Sequence, residues 1–196
     1  AGEWDSPDPV PLFALFMANA DSLGQAGRAR GPWRLMLRTF HWLHRNTRAG
    51  SRRNIHAHYD LGNDFYAAWL GSTMSYSSAI FPDGCDYRML DHAQAWKIGR
   101  IVNRLDLFDC DTVLEIGCGW GTLARLMNHR FDVQVAAISL SEEQLSFART
   151  EAAKEGVAVD FRKQDYRDVS EQFDAIVSVE MVEAVGREYW PDFFDC

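Results

Sequence analysis

"VLEIGCGWGT", residues 113–122, decides the fold. Val113, Leu114 and Ile116 read as a strand buried on both faces, and Gly117, Gly119 and Gly121 follow it at once. Glycines between a strand and a helix let the backbone turn sharply and approach a ligand closely. Working outward, the same alternation repeats. "DTVLEI" (111–116) predicts a strand and "GTLARLMNHR" (121–130) a helix. "VQVAAI" (133–138) predicts a second strand, and "SEEQLSFARTEAAKEG" (141–156) a helix opened by a capping box of Ser141 and Gln144. "VAVDF" (157–161) and "FDAIVSV" (173–179) are two further strands. Strands alternating with helices in this way predict an α/β domain with a doubly wound parallel sheet.

Upstream, "LDHAQAWKIGRIVNRLDL" (90–107) places Ala93, Trp96, Ile101 and Leu105 at helical spacing. "NIHAHYDLGNDFYAAWLGSTMSYSSAIFPDG" (54–84) is aromatic and broken by Gly and Pro, which predicts short helices and ordered loops packed on a neighbour. "GPWRLMLRTFHWLHRNTR" (31–48) predicts a basic amphipathic helix starting at Pro32. Arg34, Arg38, His41, Arg45 and Arg48 form one stripe, and Met36, Leu37, Phe40 and Leu43 another.

The formal charge of -8 hides an asymmetry. No acidic residue falls between Asp21 and Asp60, where eight arginines lie. Such a block meets an anion: lipid headgroups, nucleic acid, or an acidic face of its own protein. Lipid ranks ahead of nucleic acid because no nucleic-acid motif accompanies it, and a basic helix carrying Trp and Phe suits an anionic interface. No apolar run reaches the length of a membrane-spanning helix, and these residues show no signal-peptide pattern of basic start, apolar core and small-residue cleavage site. Cys85, Cys110, Cys118 and Cys196 form no CxxC pair, which fits a reduced, cytoplasmic setting. The H-x-H of His56 and His58 has no third ligand at matching spacing for a metal. The chain starts at Ala1 and ends directly after "YWPDFF" (189–194), and so reads as an internal piece of a longer protein.

Thr122 stands where a dinucleotide fingerprint would carry its third glycine, and the nearest acids after the second strand, in "ISLSEEQ" (138–144), lie inside the next helix. A G-x-G-x-G turn after an acidic strand residue, here Glu115, is the pattern of S-adenosylmethionine-dependent methyltransferases. "HYDLGNDFY" (58–66), "MSYSSAIF" (74–81), "AQAWK" (93–97), "VLEIGCGWG" (113–121), "SLSEEQ" (139–144), "QDYRDV" (164–169), "FDAIVSVEMVEAVG" (173–186) and "YWPDFF" come in one order. On this set the sequence resembles the cyclopropane-fatty-acid-phospholipid synthases and the related mycolic acid methyltransferases.

The resemblance implies a Rossmann-like class I methyltransferase core lacking its C-terminal strands, over residues 54–196, preceded by the helical tail of an N-terminal region, residues 1–53. The fourth strand would then present an uncovered edge, and the isolated chain would be poorly soluble. The implied activity is methyl transfer from S-adenosylmethionine to the cis double bond of an unsaturated phospholipid, by an enzyme peripheral to the membrane. A mycolic-type chain or small molecule as acceptor, or a silent module binding S-adenosylmethionine or membrane, are the alternatives.

Carried over residue by residue, Tyr76 and Ser77 would contact the methionine part of S-adenosylmethionine. The turn from Glu115 through Gly117, Cys118 and Gly119 to Gly121 would cradle it, Ser139 and Gln144 would serve the ribose, and Asp165 and Tyr166 would border the adenine. Cys118 by its own nature is a small packing residue, and Trp120 a wall of the site. Ring closure needs a base, which the resemblance gives as a bound bicarbonate held partly by Glu183. Ser78 stands at a family cysteine that helps to hold that anion. Glu180 stands where many members carry glycine and is read as a variable neighbour, and "AVG" (184–186) replaces the more common "HVG".

Overall fold

The computed structural model describes residues 8, 10–20 and 62–196. The basic helix expected over 31–48, and His56 and His58, lie outside the described residues. The chain divides into two units, residues 1–45 and 46–196. In the first, helix α1 (Val10–Ala18) is capped by the Asp8 carboxylate, which accepts the Val10 N–H at 3.0 Å.

In the second unit the described elements are α2 (Asn63–Leu70), α3 (Leu90–Leu105), β1 (Thr112–Ile116), α4 (Thr122–Arg130), β2 (Gln134–Ser139), α5 (Glu142–Glu155), β3 (Val159–Lys163), β4 (Ala175–Ser178), α6 (Val182–Val185) and α7 (Trp190–Phe194). The four strands are parallel, as the alternation predicted, and lie in the order β3-β2-β1-β4. β3 starts two residues later than expected. Ala158 instead gives its N–H to the Asn128 side chain, whose amide also reaches the Val133 carbonyl.

Side-chain alternation along the strands divides the core in two. Val113, Val135, Ala137, Phe161 and Val177 face a layer built from Ile98 and Val102 of α3, Leu123, Ala124 and Met127 of α4, and Leu145, Ala148 and Ala152 of α5. Leu114, Ile116, Ala136 and Ile138 face the other way, onto Tyr166, Met181, Val185, Tyr189 and Phe193. That second face is covered by short pieces. Ile176, which registers with Leu114, is 47% exposed. The start of β1 is pinned to β4 by Asp174, whose Oδ2 accepts from the Thr112 N–H at 2.8 Å and its hydroxyl at 2.7 Å.

Two local expectations are corrected. Trp96 was read as part of the buried stripe of α3, yet it is exposed, and Ala93, Gln94, Lys97, Ile98 and Val102 are buried instead. The buried face therefore includes two polar residues, Gln94 and Lys97, which meet the segment of Ser75 and Ser77, and hydropathy alone shifted the stripe toward the tryptophan. The capping box of α5 is only half made. Ser141 Oγ accepts the Gln144 N–H, but the Ser141 N–H goes to Ser139 Oγ and the Gln144 side chain to the Ser139 hydroxyl. Gly156, at φ 68°, closes the helix in the left-handed conformation.

The turn between β1 and α4 is the tightest junction. The N–H groups of Gly117 and Cys118 both donate to the Ile138 carbonyl at 3.0 Å. Gly121, at φ 80°, sits so close to α5 and β3 that a Cβ there would lie 2.7 Å from the Phe161 ring and 2.8 Å from the Ala148 methyl. Gly121→Ala is expected to destabilise the protein by about 2–5 kcal/mol, from overpacking added to left-handed strain. Gly156→Ala meets no atom within 4 Å and is expected to cost only about 1–2 kcal/mol; urea unfolding of the two variants measures the difference.

Candidate functional site

A cavity of about 710 Å³ opens at the C-terminal ends of β1, β2 and β4. This is where the crevice of a parallel α/β sheet forms, because successive turns diverge to opposite faces there. Its floor is the glycine turn. Gly117, Cys118 and Gly119 line it, as does Trp120, whose indole N–H is fixed by Asn63 Oδ1 at 2.8 Å. Gly121 does not line the cavity; its glycine serves the packing just described. Gly119, at φ 54°, has no atom within 4 Å of where a Cβ would sit, so the turn presents bare backbone there. Cys118 is buried in the core beneath, and burial, with Glu115 nearby, pushes its thiol pKa up.

Glu115 on β1 also lines the cavity and is 5% exposed. Burial pushes its pKa up to about 8, only partly offset by the Ala124 N–H in the first turn of α4. Its Oε2 is buried without a hydrogen-bond partner among the described residues. A buried carboxyl oxygen left open in a cavity wall is costly unless a ligand donor meets it.

Along one wall, Ser139 and Gln144 line the cavity and are joined by a 3.0 Å hydrogen bond from the serine hydroxyl to Gln144 Oε1. Since Gln144 accepts through Oε1, its NH2 is the end with donors to offer a hydroxyl ligand. Asp165 and Tyr166 lie beyond them. The Asp165 carboxylate is already held bidentately by Arg167, through Nε at 2.8 Å and Nη2 at 2.6 Å. Tyr166 packs edge-on against Phe193 at 5.2 Å.

The opposite end carries the charges. Tyr76 and Ser77 line it on the segment after α2, and α3 holds that segment from behind. Gln94 Nε2 donates to the Ser77 carbonyl at 2.8 Å, and the Lys97 ammonium to Ser77 Oγ at 2.5 Å. Burial pushes the Lys97 pKa below the usual lysine range, and the Glu180 carboxylate partly restores it. Glu180 and Glu183 both line the cavity, Glu180 at a φ of 49° and Glu183 in the first turn of α6. Ser78 is not among the lining residues. Its backbone N–H donates to Glu180 Oε1 at 2.9 Å across a sequence distance of 102 residues.

The structure thus brings Tyr76, Ser77, Glu115, Gly117, Cys118, Gly119, Ser139, Gln144, Asp165, Tyr166 and Glu183 around one cavity. It adds Lys97 and Glu180 to the lining, and Gln94 behind it as a support of Ser77; sequence reasoning gave none of the three a role. "AQAWK" was the signal for Lys97 and Gln94, since a lysine and a glutamine three residues apart share one helix face. The open Glu115 oxygen and the bare turn at Gly119 fit S-adenosylmethionine. For bicarbonate the surroundings are less suited: the Ser78 N–H is bonded to Glu180, and the cavity lining already carries the carboxylates of Glu180 and Glu183, which disfavour a further anion. Among the described residues no cluster of His, Cys, Asp and Glu could hold a metal ion, and no helix is long and apolar enough to cross a membrane.

Glu115 makes stability depend on pH. A carboxyl whose folded pKa lies above its unfolded value gives stability that is complete below about pH 4.5 and is lost as pH rises toward about 8. Asp174, whose pKa is lowered, acts below that window. Denaturant unfolding is therefore expected to show stability falling by a few kcal/mol between pH 5 and pH 8, on the order of the shift, with Glu115→Gln flattening the slope.

Comparison with known proteins converges on one group. The chain is 36% identical over 211 residues to the tuberculostearic acid methyltransferase UfaA1 of Mycobacterium tuberculosis, covering 99% of this chain and 47% of that protein. It is 42% identical over 137 residues to the cyclopropane-fatty-acyl-phospholipid synthase of Escherichia coli, covering 70% of this chain and 35% of that one. The crystal structure of the mycolic acid cyclopropane synthase CmaA1 complexed with SAH and CTAB superposes with a TM-score of 0.68 at 32% identity, over 73% of this chain and 50% of that one. The chain spans less than half the length of these two curated relatives. The parallel sheet is that of the class I S-adenosylmethionine-dependent methyltransferases. Residues 46–196 match the family model described as mycolic acid cyclopropane synthetase, and the chain belongs to that family.

Proposed function

We propose that the protein transfers a methyl group from S-adenosylmethionine to the cis double bond of an unsaturated phospholipid acyl chain at a membrane surface, with closure to a cyclopropane. The observation that carries this is one cavity whose lining combines a bare glycine turn with an open carboxyl, the charged side chains of Lys97, Glu180 and Glu183, and the apolar Ile98, Ile101, Leu123 and Val179. An apolar passage ending in a few placed polar groups suits an acyl chain whose reaction needs a proton removed.

In this reading Glu115 and the backbone of Gly117 to Gly119 hold the amino acid part of the methyl donor. Ser139 and Gln144 hold its ribose, and Asp165 and Tyr166 flank its adenine. Tyr76 and Ser77 close over it, positioned by Gln94 and Lys97. Bound S-adenosylmethionine supplies an electrophilic methyl to the electron pair of the double bond, leaving a carbocation on the acyl chain. The apolar walls exclude water that would otherwise quench that cation. A base must then take a proton from the added methyl. Glu180 and Glu183 are the carboxylates at hand, and a bicarbonate oriented by Glu183 and Ser78 is the candidate that family resemblance offers. Residues 54–196 are the catalytic portion on this view, and the arginine block within 1–53 draws the enzyme to anionic lipid. The curated relatives differ in their named products, so a methyl-branched product is the second reading.

Mass spectrometry of cis-unsaturated anionic phospholipid vesicles, incubated with the full-length protein and methyl-labelled S-adenosylmethionine, tests the proposal. A labelled CH2 gained with loss of the double bond is the expected result; a labelled methyl or methylene branch favours the second reading, and no label in lipid sinks both. Glu183→Gln is expected to lower kcat about a hundredfold while leaving S-adenosylmethionine affinity, read by calorimetry, within twofold.

A further inference from the structure

Resting on the methyl-transfer reading, we propose that Glu180 is the proton acceptor of the reaction, so that the protein carries its own base and needs no bound bicarbonate. Three observations carry this. Glu180 lines the same cavity as the methyl-donor turn. Its carboxylate is fixed there by the Ser78 N–H, 2.9 Å from Oε1. Lys97, buried and hydrogen-bonded to Ser77, lies close enough to be in electrostatic contact with it.

The backbone adds a fourth. Glu180 has a φ of 49°, a conformation that glycine adopts freely and a branched or long side chain does not. The turn thus bears a carboxylate at a position whose backbone conformation favours glycine. A non-glycine residue held in this region beside a cavity is the pattern of a functional constraint, since the surroundings must over-determine it. The Ser78 N–H is bonded to this side chain, so the fold itself tethers the carboxylate at the cavity. A tethered base gains from pre-paid positioning, because the loss of freedom on binding is already met in the fold.

The step balances as follows. One C–H bond of the added methyl breaks, and its electron pair forms the new C–C bond to the cationic carbon, closing the ring. The proton passes to a carboxylate oxygen of Glu180. Lys97, in electrostatic contact with that carboxylate, balances its charge while it is ionised.

Label transfer into vesicle phospholipid, measured for the full-length protein in buffer depleted of carbon dioxide and again with added bicarbonate, tests this. The expected result is equal transfer in both buffers. Glu180→Gln is expected to lose at least about a hundredfold in rate while binding S-adenosylhomocysteine within twofold of the unaltered protein by calorimetry. Glu180→Gly, which relieves the backbone and frees the Ser78 N–H, is expected to be inactive in depleted buffer and to recover with bicarbonate. Transfer by the unaltered protein that collapses in depleted buffer and returns with bicarbonate overturns the proposal while leaving the methyl-transfer reading intact. Full activity of Glu180→Gln does the same. If no label enters lipid in either buffer, the methyl-transfer reading fails and takes this proposal with it.

Discussion

A single carbonyl holds the architecture of the site. Ile138, at the end of β2, accepts the N–H groups of both Gly117 and Cys118, and so draws the turn after β1 onto the neighbouring strand. The turn can lie there only because Gly121 has no side chain to strike Phe161 and Ala148. From this junction α4 starts close over the sheet, the helix layer on one face packs to its full density, and the crevice opens above the strand ends. Trp120, carried by the same turn, reaches the cluster of Tyr66, Leu70 and Met74, tying α2 to the cavity.

The electrostatics of the cavity are unevenly built. Near the turn one carboxyl is so buried that it is largely neutral at pH 7. A positively charged ligand group placed against it would restore the ionised form, so the site is prepared for a cation rather than filled by one of its own. At the far end the charges are present and opposed: a buried lysine on α3 faces a glutamate beyond β4. Asp165 and Arg167 neutralise one another along the wall between. A cationic group and an apolar one would therefore meet different surroundings within one space.

Much of this was legible in the chain itself. Period-two and period-three-to-four hydropathy, broken by Gly117, Gly119 and Gly121, was enough for a doubly wound parallel sheet, because parallel strands joined by helices have few ways to pack. Eleven of the thirteen candidate residues line the cavity, and they do so because each sits at the C-terminal end of a strand or in the segment docked on those ends. What failed was local. Trp96 was placed inward because an aromatic outweighs a lysine in any hydropathy count, and the capping box of α5 was read as reciprocal because a one-dimensional motif cannot see Ser139 competing for both partners.

The sequence by itself determined the elements, their order and the chemistry of the glycine turn, since these depend on residues close together in the chain. Only the tertiary structure decided which glutamate at the end of "FDAIVSVEMVEAVG" is held by what. Glu180 acquires its meaning from Ser78, 102 residues earlier, and from Lys97 on another helix. Gly121 likewise proved to serve packing and not the cavity. A residue's role in a site is set by the partners that folding brings to it, and such pairings leave no mark on periodicity or composition.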